Sequence, residues 1–357
     1  MFVSEDNSIT CDSLESFLHL ILNAKNDAVR QETHLYFRGE SKYNQYIVPN
    51  LYLDEGLTKR SSEYYYRVLL SQIGSADYSK SSDLFRHMVD FQHHGAKTRL
   101  IDISSNPLIA LYFAVENSAD VNEYGYVYTF GSFHRDDRPD NNAEQFDVGQ
   151  TVAVKTALSL IPQDKINEFL NTCKSIYART SRNDWNLLRF KDIGLLPLHN
   201  DENNLNQLSF KDISSLQINS DEYIVIQTFM DLLNQRAKSS VDLVYPFTIF
   251  EDLQLSHIII PSNCSDRIKM HQGAFILPKF VNTDGKSMES IQKEIDRSVS
   301  TLSSNIYTPE GKAINVIRIP GDKKARIKKE LANIGISEGF VYSDIEHRSN
   351  TLLDTNL

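Results

Sequence analysis

Charged side chains stand in sequence positions where a core strand would ordinarily be apolar. Arg38 lies in the stretch FRGES (37–41), directly between Phe37 and Gly39. An unpaired guanidinium in such a strand would cost several kcal/mol. Its anionic partner is either Asp102, in a structural ion pair, or a ligand phosphate or ribose, since a planar fork suits both. The sequence therefore predicts an internal brace or an anion-binding site here.

A second stretch, residues 90–114, carries an unusual density of polar side chains for a core segment. They are Gln92, His93, His94, Thr98, Arg99, Asp102 and Ser104. A purely structural interpretation is that Arg99 and Asp102 brace neighbouring loops, and for His93 we favour packing against the aromatic face of the next helix. Adjacent histidines rarely converge on one metal, and no third ligand is spaced nearby, so no metal site is predicted.

A third stretch, SDRIKMHQGAFIL (265–277), places Gln272 just before an apolar strand. Its amide could orient a ligand or could merely satisfy backbone groups at the turn into Gly273. These three stretches contain the candidate functional residues.

Alternating strand and helix patterns must position these residues. Apolar residues at helical spacing predict helices over 13–24, 61–93 (in two parts) and 107–117. Strands are predicted at HLYFRGES (34–41), TRLIDIS (98–104), GYVYTFG (125–131), LSHIIIP (255–261), GAFILPKF (273–280), NVIRIP (315–320) and GFVYSD (339–344). A helix over 323–335 precedes the last of them. Strands dominate both ends and helices the middle, which predicts an α+β fold.

The composition limits the classes of function. The chain has 357 residues, 41% of them hydrophobic, and a formal net charge of −10. The chain as a whole therefore lacks the positive field of a non-specific nucleic-acid binder, and a local basic groove is the alternative that stays open. The densest cationic run, residues 323–329, is more typical of a solvated helix face. An acidic N-terminal stretch, scattered cysteines and the lack of a long apolar run predict a cytoplasmic protein without a membrane segment.

Four blocks, in order, resemble the bacterial FRG-domain family. They are FRG (37–39), QHHGAKTRLID (92–102), NPLIALYFA (106–114) and RIKMHQGAF (267–275). The later order of NVIRIP, helix and FVYSD is similar too. The resemblance implies a single domain over 1–357, with a core at about 13–150 and 245–353 and a variable, largely helical insert at about 151–244.

The family in turn resembles ADP-ribosyltransferases. This likeness implies a split sheet of mixed or antiparallel strands flanked by helices, with NAD as the substrate and no metal. In that superfamily an Arg or His on the first strand holds NAD, a Ser/Thr-rich strand follows, and a late strand carries a catalytic Glu. Arg38 and Ser104 match the first two elements. The third element departs from this pattern, because the late element of this chain has Gln272, beside His271, and no Glu.

The resemblance also implies the roles of individual residues. Arg38, Ser104 and Gln272 are expected to be catalytic, and Tyr112 is expected to stack on the nicotinamide. The residues expected to contact NAD are Arg38, Gly39, His94, Thr98, Arg99, Asp102 and Tyr112. A neutral Gln272 stabilises a cationic transition state less than a carboxylate does. The loss of such an interaction lowers the rate by roughly 10²- to 10³-fold. Glu251 or Asp252 could supply the missing charge.

The predicted function is NAD-dependent ADP-ribosyl transfer to a macromolecule such as RNA or DNA. The resemblance implies a toxin or effector in phage defence, with a neutralising antitoxin protein as a partner. The alternative is a non-catalytic module that binds a nucleotide or nucleic acid, which the missing Glu favours. Against it, the chain keeps many polar residues on presumed core strands. A pure scaffold would tend to lose them, because each needs a satisfied partner. A nuclease that uses His94 with Asp102 or Glu116 is a weaker hypothesis, because no paired-carboxylate metal motif is present.

Overall fold

The computed structural model describes residues 4, 6–30, 34–132, 143–179, 219–239, 242–262, 266–342 and 349. Within these residues, most of the predicted elements form. The helices are α1 (Leu14–Arg30), α2 (Glu63–Gln72), α3 (Ser81–His93), α4 (Pro107–Val115), α5 (Gln150–Ala157), α6 (Gln163–Arg179), α7 (Ser220–Ala237), α8 (Pro246–Leu253), α9 (Asp266–His271), α10 (Met288–Ser300), α11 (Gly321–Asn333) and α12 (Glu338–Val341). Short 3₁₀ and π turns lie at Asn50–Leu53, Gly56–Arg60 and Leu158–Leu160.

Eight strands in the described part of the chain form one mixed sheet. They are β1 (Ser8–Thr10), β2 (Leu35–Glu40), β3 (Ile101–Ser104), β4 (Gly125–Gly131), β5 (Glu144–Phe146), β6 (His257–Ile260), β7 (Gly273–Leu277) and β10 (Val316–Ile319). Their order is β1-β10-β4-β2-β3-β7-β6-β5. The two outermost pairs, β1 with β10 and β5 with β6, are parallel, and the other pairs are antiparallel. A small separate ribbon joins β8 (Ile306–Tyr307) to β9 (Ala313–Ile314).

Local signals explain where the helices near the centre begin. Asn106 accepts a hydrogen bond from the Leu108 amide at 3.0 Å, and Pro107 occupies the first turn of α4. A proline is tolerated there because its missing N–H would have no helical partner. At α1, the Ser13 hydroxyl accepts from the Ser16 amide at 3.2 Å. Both helix starts agree with the sequence pattern.

Apolar residues cover both faces of the sheet. One buried cluster joins α2, α3 and α10 to the sheet, and a second joins α1, α4 and α11 to it. A third cluster is formed mainly by α5, α6, α7 and α8, with aromatic stacking of Phe169 on Phe229. Each face is thereby removed from water, which is the main source of stability. The α+β class and the mixed sheet flanked by helices are confirmed.

Two sequence expectations need comment. The stretch GFVYSD was expected to form a last strand, but residues Glu338–Val341 form the short helix α12. The apolar residues Phe340, Val341 and Tyr342 pack on the second cluster, and the Val341 main-chain oxygen contacts His271. Most of the expected helical insert is described as α5, α6 and α7, and residues 180–218 lie outside the described part. No described helix combines the length and apolar character that crossing a bilayer requires.

Candidate functional site

The centre of the sheet opens between two strands. β2 pairs with β4 along all six of its residues but with β3 only through Phe37 and Ser104. A continued antiparallel register would place Gly39 opposite Asp102, and no such pair forms. Nη1 of Arg38 instead donates to the main-chain oxygen of Asp102 at 2.8 Å. A side chain thus replaces the backbone ladder where the strands separate.

A cavity of about 290 Å³ occupies this opening. Its charged and polar lining side chains are Arg38, Glu40, Ser41, His93, Asp102, Ser104, Glu116, Arg267 and His271. Its apolar lining comprises Phe37, Ile103, Ile109, Phe113, Ile268 and Phe275, together with the glycines and alanines of the strands and α4. An apolar cavity with a few convergent polar groups is the usual form of a small-molecule site.

Arg38 is held by protein groups but keeps free donors. Its Nε donates to Glu40 Oε1 at 2.7 Å, and its Nη2 lies 2.6 Å from the same oxygen. Counting the contact with Asp102, three of the five guanidinium N–H groups have protein partners. The side chain is 22% exposed. Of the two expected anionic partners, the Asp102 carboxylate is replaced by Glu40, and two N–H groups without a partner among the described residues remain for the other, a ligand phosphate or ribose.

The Asp102 carboxylate is oriented by a short relay. Its Oδ2 accepts from Gln92 Nε2 at 2.7 Å, and Gln92 Oε1 in turn accepts from the Thr98 hydroxyl. Thr98 is 1% exposed and does not line the cavity. The expected contact of Thr98 with NAD is therefore replaced by an indirect role, in which Thr98 fixes Gln92 and Gln92 fixes Asp102.

Ser104 lies in the cavity wall but its hydroxyl is engaged by the protein. Its Oγ donates to the His271 main-chain oxygen at 2.5 Å and accepts from the Asn106 amide at 2.9 Å. These bonds connect the end of β3 to the turn that joins α9 to β7. Ser104 thus holds two cavity walls together and leaves one lone pair at most for a ligand.

His271 presents a neutral ring to the cavity. Its Nε2 lies 2.9 Å from the Val341 main-chain oxygen, which can only accept, so Nε2 carries the proton. Burial lowers the pKa of His271 from 6.5 to about 4, against the opposing effect of that backbone bond. Nδ1 has no hydrogen bond among the described residues and is an acceptor. The ring also packs edge-on against Phe113, with centroids 6.2 Å apart.

Of the two adjacent histidines, His93 faces the site. It lines the cavity, and its ring lies 6.5 Å from that of Phe275. Burial lowers its pKa, the nearby Asp102 carboxylate opposes this, and Arg267 adds to it. His94 follows the last turn of α3, is exposed and does not line the cavity. The expected contact of His94 with NAD is therefore not supported by its position, and His93, expected to pack on the next helix, lines the cavity instead.

Gly39 is required for the close approach of β2 to α4. A Cβ built on Gly39 would lie 1.8 Å from the main-chain oxygen of Ala110 and 2.9 Å from the amide nitrogen of Ala114. No side chain fits in that space. Gly39 lines the cavity with its backbone and also sets the position of the helix that forms one wall.

Gln272 lies outside the cavity. It is exposed, and its Oε1 accepts from the Ser105 hydroxyl at 3.3 Å, while the residues on either side of it line the cavity. Its φ of +48° lies in the left-handed region. The side chain therefore does not follow the alternating directions of the side chains in β7, which begins at the next residue. Gln272 was expected to be catalytic together with Arg38, but it does not share the cavity with Arg38.

Arg99 is buried away from the cavity. Its Nη1 donates to the Ser62 hydroxyl at 3.0 Å and to that of Ser159 at 3.4 Å, and its guanidinium lies 4.9 Å from the centre of the Phe280 ring. It is 5% exposed. The structural interpretation describes it better than NAD binding does, because no ligand in the cavity could reach it.

Tyr112 is also away from the cavity. It is 1% exposed and packs in the cluster between α4 and α11, with Lys328 Nζ 5.7 Å from its ring centre. Within the described part of the chain its hydroxyl has no hydrogen-bond partner. The expected stacking on nicotinamide has to be revised, since Phe113, one residue later, is the aromatic side chain of α4 that lines the cavity.

The two upstream carboxylates do not supply the cavity with charge. Asp252 is buried, with Oδ1 3.3 Å from His257 Nε2 and 3.4 Å from the Thr151 hydroxyl. Glu251 does not line the cavity either. Instead, Glu40, Asp102 and Glu116 line it. Among the described residues, no group of three or more His, Cys, Asp or Glu side chains is arranged to hold a metal.

A helix-phase signal could have identified His93. Phe85, Val89 and His93 are each four residues apart, so they share the face of α3 that packs on the sheet, with Phe85 6.0 Å from Phe275. Arg267 and His271 are likewise four residues apart on α9 and both line the cavity. The four-residue spacing is visible in the sequence, but the sequence does not show which face of each helix packs on the sheet.

Comparison with protein-family models gives a match to part of the chain. A family model described as FRG domain matches residues 33–123. That segment carries β2, β3 and α4, and hence most of one side of the cavity, whereas Arg267 and His271 lie beyond it. Searches of curated proteins and of solved structures returned no significant match. The match confirms the FRG-domain resemblance for this segment.

Proposed function

We propose that the protein binds NAD at the cavity between β2 and β3 and transfers its ADP-ribose moiety to a macromolecule. The observation that carries the proposal is the position of Arg38 at the split in the sheet, with two guanidinium N–H groups that have no partner among the described residues. A nucleotide phosphate or ribose provides the oxygens that such a fork binds.

A second cation supports binding of an anionic ligand. Arg267 lines the cavity and lies 5.0 Å from the centre of the Tyr342 ring. Within the described residues it makes no ion pair. Glu40 largely neutralises Arg38, so Arg267 is the less compensated of the two cavity guanidiniums among the described residues. We expect it to bind the phosphates of NAD.

The cavity volume indicates which part of NAD it encloses. About 290 Å³ lies at the lower limit of small-molecule pockets, which span about 300–1,000 Å³. This is too small for a whole dinucleotide. The nicotinamide riboside half would therefore lie inside against Phe113 and Phe275, and the adenosine half would extend outward.

The proposed reaction breaks the bond between the ribose C1′ and the nicotinamide nitrogen, and both electrons stay on that nitrogen. The resulting cationic C1′ is attacked by a lone pair of the acceptor, whose proton must then be removed. Asp102 and Glu116 supply negative charge in place of the missing Glu. His93, whose pKa is lowered by burial, is neutral near pH 7 and can take the proton.

His271 completes this assignment. Its Nδ1 can accept a hydrogen bond from a ribose hydroxyl, because Nε2 is fixed by Val341. The orienting role that the resemblance implied for Gln272 thus falls to the preceding residue. The toxin role, phage defence and a neutralising protein remain parts of the proposal that rest on the family resemblance alone.

Labelled NAD tests the proposal. The purified protein would be incubated with NAD labelled in its adenylate part and with RNA, DNA or protein lysate, beside Arg38→Ala, Arg267→Ala and the exposed-arginine control Arg86→Ala. Transfer of label by the wild type and the control but not by the cavity variants supports it. Retention of full transfer by Arg267→Ala would refute this site, even if Arg38→Ala failed to fold.

A binding module is the second candidate. It is favoured by the exclusion of Gln272 from the cavity and by the protein bonds that occupy the Ser104 hydroxyl. It predicts saturable binding of ADP-ribose or NAD that Arg267→Ala abolishes, with no nicotinamide released. Measuring nicotinamide release and binding on the same sample separates the two functions.

A further inference from the structure

Most cations of the run at residues 323–329 already make hydrogen bonds or ion pairs with other groups of the protein. Lys324 is fully buried, and its Nζ donates to the main-chain oxygens of Ser41 and Asn117. Arg326 pairs with Glu330, and Lys328 donates to the Glu116 main-chain oxygen. This face of α11 therefore offers few free cations to a partner.

Free cations occur instead on α10. Lys293 and Arg297 are exposed and lie one helical turn apart, about 6 Å along the axis. Neither makes an ion pair within the described part of the chain. They line a groove of about 580 Å³ together with Lys279, Glu294, Ser290 and Thr301. We call this the α10 groove.

The α10 groove has a positive balance in a chain of net charge −10. Glu294 is its one acidic lining residue, and it is shared by Lys279 at 2.7 Å and by Lys286 at 2.5 Å. Within the described residues, Lys293 and Arg297 therefore have no carboxylate partner. The helix's other carboxylates are Glu289, which lies 3.4 Å from the Tyr46 hydroxyl, and Asp296, which accepts from the Ile47 amide at 2.9 Å.

We propose that the α10 groove binds the phosphodiester backbone of a single nucleic-acid strand. Cations one helical turn apart match the separation of successive phosphates along a strand, and Ser290 and Thr301 add hydroxyl donors. The lining contains no aromatic residue on which bases could stack, so binding is electrostatic and independent of base sequence. This inference stands apart from the NAD chemistry.

Salt dependence gives the binding a measurable signature. Two cations, Lys293 and Arg297, would contact phosphates, and each released counterion contributes about −0.7 to the slope of log K against log salt for single strands. We expect a slope of about −1.4 between roughly 50 and 200 mM salt. Lys293→Glu/Arg297→Glu should weaken binding at least tenfold at about 0.1 M salt and flatten the slope.

Fluorescence anisotropy with labelled oligouridylate and oligothymidylate tests the proposal without NAD. The matched control is Lys323→Glu/Lys329→Glu, which makes the same change of charge on α11 and should bind as the wild type does. Thermal unfolding checks that each variant is folded. Single strands of RNA and DNA should bind alike, because the groove contacts phosphates and no bases.

Three outcomes would overturn the proposal. They are unchanged binding by Lys293→Glu/Arg297→Glu, equal loss in the α11 control, and competition by polyglutamate as strong as competition by oligouridylate, which would indicate an acidic peptide instead. Arg267→Ala should leave this binding intact. Loss of NAD chemistry and loss of strand binding are therefore distinguishable.

Discussion

Nη1 of Arg38 donates to the main-chain oxygen of Asp102 at 2.8 Å across the point where β2 and β3 separate. The same guanidinium binds Glu40 through two nitrogens. One side chain thus closes a gap in the sheet, neutralises a half-buried carboxylate and presents its remaining N–H groups to the cavity. Structural and binding roles coincide at this residue, so a test must separate them.

The first prediction concerns the pair of Arg38 and Glu40. Arg38→Ala leaves Glu40 partly buried without its cation and should lower the free energy of unfolding by about 2 kcal/mol. Adding Glu40→Gln should recover about half of this loss, because an uncharged amide costs less to bury. Affinity for ADP-ribose should stay low in both variants. Urea denaturation and calorimetric titration measure the two quantities.

If the double variant regained both stability and affinity, Arg38 would act only as the partner of Glu40. Arg38→Lys provides a second check, since a point charge cannot reach Glu40 and Asp102 together. We expect it to bind ADP-ribose at least tenfold more weakly than the wild type.

The second prediction concerns the contact between β2 and α4. Gly39→Ala would place a methyl group 1.8 Å from the Ala110 main-chain oxygen, and backbone cannot move aside as a side chain can. We expect a loss of about 3 kcal/mol or more in the free energy of unfolding. Gly311→Ala, at a positive φ of 84° in open space, should cost about 1 kcal/mol. Equal costs in urea denaturation would contradict the steric argument.

The sequence predicted elements better than the directions of side chains. β2, β3 and β4 were recognisable because their aromatic and β-branched runs are bounded by turn residues. Arg99 could not be assigned in the same way, since Ser159, one of its partners, lies sixty residues away in the turn after α5. Such a contact depends on where the insert packs, and no local pattern encodes it.

The candidate site shows the same limit. Arg38, Gly39, Asp102 and Ser104 were expected in it and line the cavity. Gln272 was assigned by its place in a motif, and a left-handed φ turns it outward. A single residue in that conformation reverses the alternation by which a strand face is predicted.

The third prediction tests the burial of Tyr112. Its hydroxyl is enclosed without a hydrogen-bond partner among the described residues, which is unfavourable. Tyr112→Phe should leave the free energy of unfolding unchanged or raise it by up to about 1 kcal/mol, and affinity for ADP-ribose should not change. Phe113→Ala, which removes an aromatic lining residue, should weaken that affinity. A greater loss of affinity with Tyr112→Phe than with Phe113→Ala in calorimetric titration would support stacking by Tyr112 instead.

The fourth prediction separates His271 from Gln272. Gln272→Ala should change affinity for NAD by less than twofold, because its side chain lies outside the cavity. His271→Ala removes the Nδ1 acceptor and should weaken affinity about fivefold or more, the usual worth of one hydrogen bond. Gln272→Gly relieves the positive φ and should raise the free energy of unfolding by about 1 kcal/mol. A greater loss with Gln272→Ala than with His271→Ala would favour the role implied by the family resemblance.

The fifth prediction is a loss of stability in mild acid. Burial lowers the pKa of His271 from 6.5 to about 4 and lowers that of His93 in the same direction. The unfolded chain therefore binds more protons than the folded one between about pH 4 and 6.5, so stability rises with pH across that window and is lost as pH falls through it. Because the imidazole is only partly buried, we expect about 1–2 kcal/mol less stability at pH 5 than at pH 7.

His271→Gln provides the control for this dependence, since an amide of similar size does not titrate. The variant should unfold in urea with a smaller difference between pH 5 and pH 7 than the wild type shows. Carboxylates with lowered pKa values, such as Glu294 beside Lys279 and Lys286, lose their contribution only below about pH 4.5. A variant that kept the full difference would assign the acid sensitivity to groups outside the cavity.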